Sequence, residues 1–379
     1  MTMTSGSPGL ALDEWGARCL AGLFAVARRP GIAGRWSTRF EGFERTVMGA
    51  LRVGLIGCGV MGRSLATQLL TVEGAALTAV ADLSAEAAGR AAEQLGGPAV
   101  FTDPAEMLSA GVVDAVLIAS PGFQHRPLTE LAASHGAHVF VEKPMATNAD
   151  DCRAMIAAAA SADVRLMVGQ VLRYHAIPGE VIRAARAGEL GELWAIEVTR
   201  IGGGYGGVWK QAWRESRAMS GGVLMEVNAH EIDFMRQVCG EVTRVYAESA
   251  TVGGSTADFP NLNFISLRFA SGAVGMLHSS QVSEIGESAG CVQGSGGTLL
   301  WNGRFKGEEL LVKPAGGEQR SVSAASLAGE DPVRTELRLF VESIAAGTEP
   351  PVPGSEGLAN VRVAEAAYRS AEIGAPVDL

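Results

Sequence analysis

The segment Leu51–Gly62 constrains this chain more than any other. Leu51-Arg-Val-Gly-Leu-Ile56 is a short apolar run of the kind that suits a strand buried on both faces. Gly57-Cys58-Gly59-Val60-Met61-Gly62 comes directly after it and matches G-x-G-x-x-G, and a helical pattern runs on from Val60 to Leu70. Each glycine has a mechanical task in such a turn. Gly57 makes it tight, Gly59 lets a pyrophosphate approach the backbone, and Gly62 permits close helix–strand packing. The free N–H groups at the helix start then face the phosphates, with Cys58, Val60 and Met61 as the intervening contacts.

The downstream residues strengthen this assignment. A second strand, Leu77–Ala81, ends in Asp82, 25 residues beyond Gly57. A carboxylate there can accept both ribose hydroxyls of NAD and would repel the 2′-phosphate of NADP, so NAD is the expected cofactor. The pattern continues as helix Ala85–Leu95, strand Val113–Ala119, helix Gln124–Ser134, strand His138–Val141, helix Ala149–Ser161 and strand Val164–Val168. Strict alternation predicts an α/β, Rossmann-type, doubly wound parallel sheet over residues 48–170. Ligands of such sheets lie at the carboxyl ends of the strands. Ser120-Pro121 and Glu142-Lys143-Pro144 occupy two of those ends and are expected to face the cofactor.

Beyond residue 171 the grammar changes. One helix, Ile177–Ala187, leads into strand Leu193–Arg200. Strand-like segments lie at Val242–Ala250, Leu262–Phe269, Ala273–Val282, Ser288–Gln293 and Gly297–Trp301, then two helices at Pro332–Ala346 and Gly357–Ser370. This predicts an α+β domain with a largely antiparallel open sheet over 171–379, its last helices able to pack back on the first domain. Between its first two strands, the stretch from Gly222 reads as one helix with Leu224, Val227, Phe234 and Val238 inward. Glu226, His230, Asp233 and Gln237 then form one polar stripe. On that helix Glu226 and His230 converge, and an imidazole there can exchange a proton with an alcohol near neutral pH. A solvated helix face would show the same spacing, which alone does not decide between the two. The glycine-rich stretch Ile201–Trp209, with Tyr205, Trp209 and nearby Trp213, reads either as an aromatic flap over a ring or as a plain surface connection.

Bulk properties exclude several functions. A net charge of −10 argues against nucleic acid or an anionic membrane as partner, and no apolar run reaches the roughly 18 residues of a spanning helix. Cys19, Cys58, Cys152, Cys239 and Cys291 are scattered, which suits unpaired thiols in a reducing cytoplasm, with neither disulfides nor a metal site. Residues 1–47 carry six arginines, four acids and no lysine. They read as a disordered extension ahead of a functional start at Met48, not as a signal peptide.

Together these residues resemble the glucose–fructose oxidoreductase, inositol dehydrogenase and MocA superfamily. The resemblance rests on Gly57–Gly62, Ser120-Pro121 with His125, Glu142-Lys143-Pro144, Gly169-Gln170 with Arg173-Tyr174, Ser220-Gly221-Gly222 with His230 and Asp233, and Ala364–Ala367 with Ser370. It implies NAD-dependent exchange of hydride with a secondary hydroxyl or ketone of a sugar or inositol-like polyol. It implies Lys143 and His230 as the catalytic pair, assisted by the carboxylate four residues earlier, and His125 and Glu142 beside the cofactor. Arg173 and Tyr174, at the domain junction, are expected substrate contacts, with an interdomain salt bridge as the other reading of Arg173. Two positions depart from the family pattern: Glu226 stands where aspartate is common, and Asn228 where a glycine is. Both are expected to face the substrate. The resemblance also implies a homodimer or homotetramer. An NAD-using glycosidase of the same fold and a noncatalytic dinucleotide-binding regulator are the alternatives.

Overall fold

Short apolar strands separated by helices need cover on both faces, and the first half of the molecule provides it. The computed structural model describes residues 49–204, 210–303 and 307–379; the extension 1–47 lies outside them. In chain order come β1 (Leu51–Ile56), α1 (Val60–Leu69), β2 (Ala75–Ala81), α2 (Ala85–Gln94), β3 (Ala99–Phe101), α3 (Pro104–Ser109), β4 (Ala115–Ile118), α4 (His125–Ser134), β5 (His138–Val141), α5 (Ala149–Ser161) and β6 (Leu166–Val168). The strands pair in parallel in the order β3-β2-β1-β4-β5-β6. Strand order reverses between β1 and β4, where a crevice opens at the strands' carboxyl ends. β3 and α3 are additions to the pattern expected from sequence. β3 has only three residues, although α3 carries legible start signals, with the Asp103 side chain capping Ala105 N–H ahead of Pro104.

The second half contains α6 (Ala176–Arg186), β7 (Leu193–Gly203), α7 (Arg217–Ser220), α8 (Val223–Glu226), α9 (Ala229–Cys239), β8 (Val242–Ala250), β9 (Leu262–Phe269), β10 (Val274–Ser280), β11 (Val282–Gly294), β12 (Gly297–Asn302), β13 (Glu309–Pro314), β14 (Arg320–Ser323), α10 (Ala324–Leu327), α11 (Pro332–Ala346), α12 (Gly354–Ile373) and β15 (Val377–Asp378). Its sheet runs β14-β13-β12-β11-β7-β10-β9-β8-β15. Every pairing is antiparallel except β7 with β10. The sheet extends beyond the expected strands by β13, β14 and β15, because Glu309–Pro314 and Arg320–Ser323 are half-exposed edge segments with little apolar signal. α11 packs on α1 and on the 3-10 turn Val171–Tyr174, while α12 packs on α5, β6 and β8, so the chain's end braces both sheets.

The single helix expected from Gly222 is in fact two. Asn228 N–H reaches back five residues to the Val223 carbonyl at 3.1 Å, closing α8 with a wide turn, and α9 begins afresh after it. Asn228 drives the break from inside the core. Its Oδ1 accepts from Ser279 Oγ at 2.6 Å and its Nδ2 donates to Glu231 Oε2 at 3.2 Å. Gly222 fixes the entry to α8: it sits at φ +77, and a Cβ there would strike the Tyr368 hydroxyl. Tyr368 of α12 in turn accepts the Leu224 N–H at 3.1 Å, tying the two helices.

Candidate active site

The glycine turn is shaped by close approach. Gly57 lies at φ +94, and a side chain there would press on the Ala119 backbone at 2.8 Å. A Cβ on Gly62 would run into the Gly57 carbonyl, whereas one on Gly59 would meet nothing within 4 Å. Gly59 therefore opens onto the crevice, and α1 begins there in extended geometry with no side-chain cap, which leaves its first N–H groups to a ligand. Asp82 braces the turn: Oδ2 accepts Cys58 N–H and Oδ1 accepts Ser84 N–H, both at 2.8 Å. Cys58 is buried, with its thiol pushed up to about 12 by burial and Asp82, so it takes part through its backbone.

At the ends of β4 and β5, the buried Ser120 Oγ has no hydrogen-bond partner. His125 has a different task from the expected cofactor contact. It is buried, with Nε2 against the Ser120 carbonyl and Nδ1 against the Pro144 carbonyl, both at 2.9 Å. The ring thus pins two strand ends together and is pulled towards its neutral form by burial. Glu142 is buried, accepts the Lys143 N–H at 3.1 Å, and has its proton affinity raised by burial against the pull of Lys143.

Lys143 reaches across from β5 to the second half, where Nζ donates to the Glu226 carbonyl at 2.7 Å. His230, near the start of α9, is 7% exposed. Its Nδ1 meets Gln170 Oε1 at 3.1 Å; an amide oxygen accepts, so Nδ1 carries the proton and Nε2 the lone pair. Burial foremost, then Lys143, Arg200 and His175, hold this imidazole well below its ordinary range, so it is neutral at pH 7. The Glu226 carboxylate, expected beside His230, instead pairs with Arg214 Nη2 at 2.9 Å. The broken helix is the reason, because Glu226 and His230 no longer share one helical face.

Two expected substrate contacts are spent elsewhere. Asn228 is fully buried with both polar ends bonded inside the fold. Arg173 forks onto Asp233 (Nε–Oδ2 2.7 Å, Nη2–Oδ1 2.5 Å) and also meets Glu356 at 2.7 Å, so this residue makes the interdomain salt bridge. Tyr174 is half-buried, its phenol pushed up to about 12 by burial. Tyr205 and Trp209 lie outside the described residues; Trp213 carries the Arg214 guanidinium 4.6 Å above its ring. His175, Arg200, Arg214 and Glu231 join the site without having been expected from sequence, and Gln170, named there only as part of the family pattern, joins it with a role of its own. Gln170 alone had a usable signal, since it lies just past the carboxyl end of β6.

This is the architecture of a dinucleotide-dependent oxidoreductase, with a cofactor crevice on a parallel sheet and a lysine and a histidine brought together from its two halves. Family comparison agrees: residues 51–170 match the oxidoreductase-family NAD-binding Rossmann fold, and residues 183–379 match the same family's C-terminal alpha/beta domain. The chain belongs to the Gfo/Idh/MocA oxidoreductase family. It is 27% identical over 329 residues to myo-inositol 2-dehydrogenase of Thermotoga maritima, covering 85% of this chain and 96% of that one. The aldose-aldose oxidoreductase from Caulobacter crescentus, solved with glycerol, superposes with TM-score 0.79 at 29% identity over 87% of this chain and all of that one. The WlbA dehydrogenase from Bordetella pertussis, solved with NADH and UDP-GlcNAcA, gives TM-score 0.76 at 26% identity, covering 87% and 99%. The residues present fit NAD. Gly59 leaves room for a pyrophosphate, α1 offers its N–H groups, Asp82 waits at the end of β2, and the orphaned Ser120 Oγ needs a partner. Among the described residues no group of histidine, cysteine and carboxylate side chains could hold a metal, and no helix is long and apolar enough to cross a membrane.

Proposed function

We propose that this protein is a cytoplasmic, NAD-dependent dehydrogenase or reductase acting on a secondary hydroxyl or ketone of a sugar or inositol-like polyol. The observation that carries this reading is the convergence of Lys143, from the Rossmann half, and a neutral His230, from α9, beside the cofactor crevice. Bound NAD supplies the hydride acceptor, or as NADH the donor. Lys143 has three N–H donors; one is held by the Glu226 carbonyl, which aims the ammonium group and leaves others for the reacting oxygen. A cation there stabilises alkoxide character as the C–H bond breaks. His230 takes the hydroxyl proton on Nε2, with Gln170 fixing the tautomer, and returns it in the reverse direction. Glu226, held by Arg214, offers a carboxylate oxygen to a neighbouring substrate hydroxyl. The test is an NADH absorbance screen of sugars, cyclitols and their keto forms with purified protein. Tight NAD binding without turnover of any of them would sink this reading and favour a noncatalytic role.

Cofactor choice turns on Asp82. Each of its oxygens holds one backbone N–H and keeps a lone pair for a ribose hydroxyl, while a 2′-phosphate would face its charge. Arg63, on the neighbouring helix α1, is bonded back to the Cys58 carbonyl at 2.7 Å. Titration by intrinsic fluorescence should give NAD at least tenfold tighter than NADP, and Asp82→Ala should narrow the gap. Equal affinities in the unaltered protein would show that Asp82 does not read the ribose.

The chain is further expected to form a homodimer or homotetramer through the outer face of its large sheet. Phe264, Val274, Met276 and Leu300 are 38–47% exposed there, with Phe264 stacked on His278. Glu197 lies beside Met276, and Arg268 lies beside Val274, so a second copy related by a twofold axis finds both apolar surface and opposite charge. Light scattering should report at least a dimer at micromolar concentration, and Met276→Glu should shift it towards monomer. A monomeric unaltered protein would refute this.

A further inference from the structure

Helix α11 lies along the Rossmann sheet, and two contacts fix its direction. The carbonyl of Gly347, its C-cap, accepts from Arg165 Nη2 at 2.6 Å, and Arg165 stands just ahead of β6, at the amino edge of the sheet. Midway along the helix, the Phe340 ring meets Phe140 of β5 edge-on, with centroids 5.8 Å apart. The helix therefore runs opposite to the parallel strands, and its opening turns lie at their carboxyl edge, where ligands of such sheets bind. Glu336 precedes Phe340 by one turn and shares its face of the helix. Glu142 follows Phe140 by two residues and shares its side of the strand. Both carboxyl groups thus belong to one region, at the end of β5.

Glu336 is 1% exposed, and its Oε2 is fully covered with no hydrogen-bond partner among the described residues. A buried polar atom left without a partner is costly. Packing does not call for an acid here, since Leu337, Phe340 and Val341 of the same helix are apolar and buried, and a leucine or methionine would fill the place. A carboxyl group kept in such a position points to a ligand that it meets. The Ser120 Oγ, at the end of β4 on the same edge, is orphaned in the same way.

The part of NAD that belongs at this end of the crevice is the nicotinamide. In the reading given above, Asp82 after β2 meets the adenosine ribose, and Lys143 after β5 meets the reacting oxygen. The ring beside Lys143 carries a carboxamide, whose NH2 needs an acceptor. We propose that Glu336 accepts this carboxamide N–H and so fixes the orientation of the nicotinamide ring beside Lys143. The proposal rests on that placement of the cofactor and adds a positioning residue to it. A carboxyl group suits the task in either protonation state, because it keeps an acceptor oxygen in both. Burial foremost, then the acids Glu142 and Asp331, favour its protonated form, which can also donate to the amide oxygen.

The experiment is titration calorimetry on the full chain with three ligands. They are NAD, its 3-acetylpyridine analogue, in which a methyl group replaces the carboxamide NH2, and ADP-ribose, which lacks the ring. The unaltered protein should bind NAD about tenfold tighter than the analogue, as one hydrogen bond provides. Glu336→Met should bring that ratio close to one and leave ADP-ribose affinity unchanged. Glu336→Gln keeps an acceptor and should retain most of the preference. Without cofactor, Glu336→Met should melt no lower than the unaltered protein, because it removes an unsatisfied buried group. If it does not fold, Glu336→Ala takes its place and the ratio in the unaltered protein still decides. Equal binding of NAD and the analogue by the unaltered protein would overturn the proposal. So would a preference that survives Glu336→Met, the result expected if only a buried water satisfies the carboxyl group. Loss of ADP-ribose along with NAD would also overturn it, by assigning Glu336 to the ribose or to the fold. These measurements need no turnover, so an empty substrate screen leaves them standing, and their failure leaves the roles of Lys143 and His230 untouched.

Discussion

Replacing His230 with alanine is expected to lower turnover by about 10²–10⁴, the loss that accompanies removal of a positioned acid–base group, while NAD affinity stays within a few-fold. The ring is held by Gln170 at one nitrogen and sits beside Lys143, remote from the glycine turn and from Asp82, which serve the other end of the cofactor. Lys143→Ala should lose at least as much, because it removes a charge at the reacting oxygen and also frees the Glu226 carbonyl it now satisfies. Glu226→Gln should be milder and act partly on KM, since its carboxylate engages Arg214 and not the imidazole. The pH profile carries the sharper signature. Oxidation needs the neutral imidazole, and burial, Lys143, Arg200 and His175 all depress its proton affinity. The acidic limb of kcat/KM should therefore fall below the ordinary imidazole range near 6.5, with full activity above it, and it should vanish in His230→Ala. Steady-state kinetics across pH 4–9 on whichever substrate the screen identifies would decide the matter. Near-normal turnover by His230→Ala would remove the proposed mechanism.

How much of this could be read from the sequence differs between the two halves for a physical reason. A parallel sheet is built from local βαβ units whose glycine turn, strand runs and helix caps are each written in consecutive residues, so β1, β2, β4, β5 and β6 lie within a few positions of expectation. The crevice could be placed from strand order alone. The second half depends on partners far apart in sequence. Periodicity across Gly222–Val238 points to one helix, but the Asn228 side chain, satisfied by Ser279 about fifty residues away, breaks it and turns Glu226 towards Arg214. Lys143, His230 and Gln170 all belong to the family pattern, but the role of Gln170 in fixing the tautomer of His230 is not legible there, because it exists only once β6 and α9 meet. The polar row Ser249, Asn263, Ser279, Arg200 and Ser288 on the large sheet is illegible for the same reason, since its members align only through strand register.

The largest stability effect should come from Arg173. Its guanidinium, 9% exposed, forks onto Asp233 and meets Glu356, and Asn360 Nδ2 adds a bond to Asp233 at 2.9 Å. Arg236, buried in the same network, bonds Asn360 at 2.7 Å and reaches Glu356 at 3.5 Å. These residues join the end of the Rossmann half, the helix that carries His230, and α12. Arg173→Ala would leave the fully buried Asp233 carboxylate without its cation, which typically costs about 3–5 kcal/mol. A drop in Tm of about 4–7 °C is expected for a chain of this size. Arg173→Lys keeps the charge but loses the fork and should fall between the two. In the Arg173→Ala background, Asp233→Asn should recover part of the loss, since an unpaired amide is cheaper to bury than an unpaired carboxylate. The unaltered protein should show the same network through pH. Burial alone would raise Glu356, but Arg236 and Arg173 hold its carboxyl below the usual range. That contribution is present above the unfolded value of about 4.3 and lost as pH falls through the lowered folded value, so thermal stability should decline on acidification below pH 5. Differential scanning calorimetry of the three variants would test this, and an Arg173→Ala protein melting within about 2 °C of the unaltered one would mean that the network contributes little to the fold.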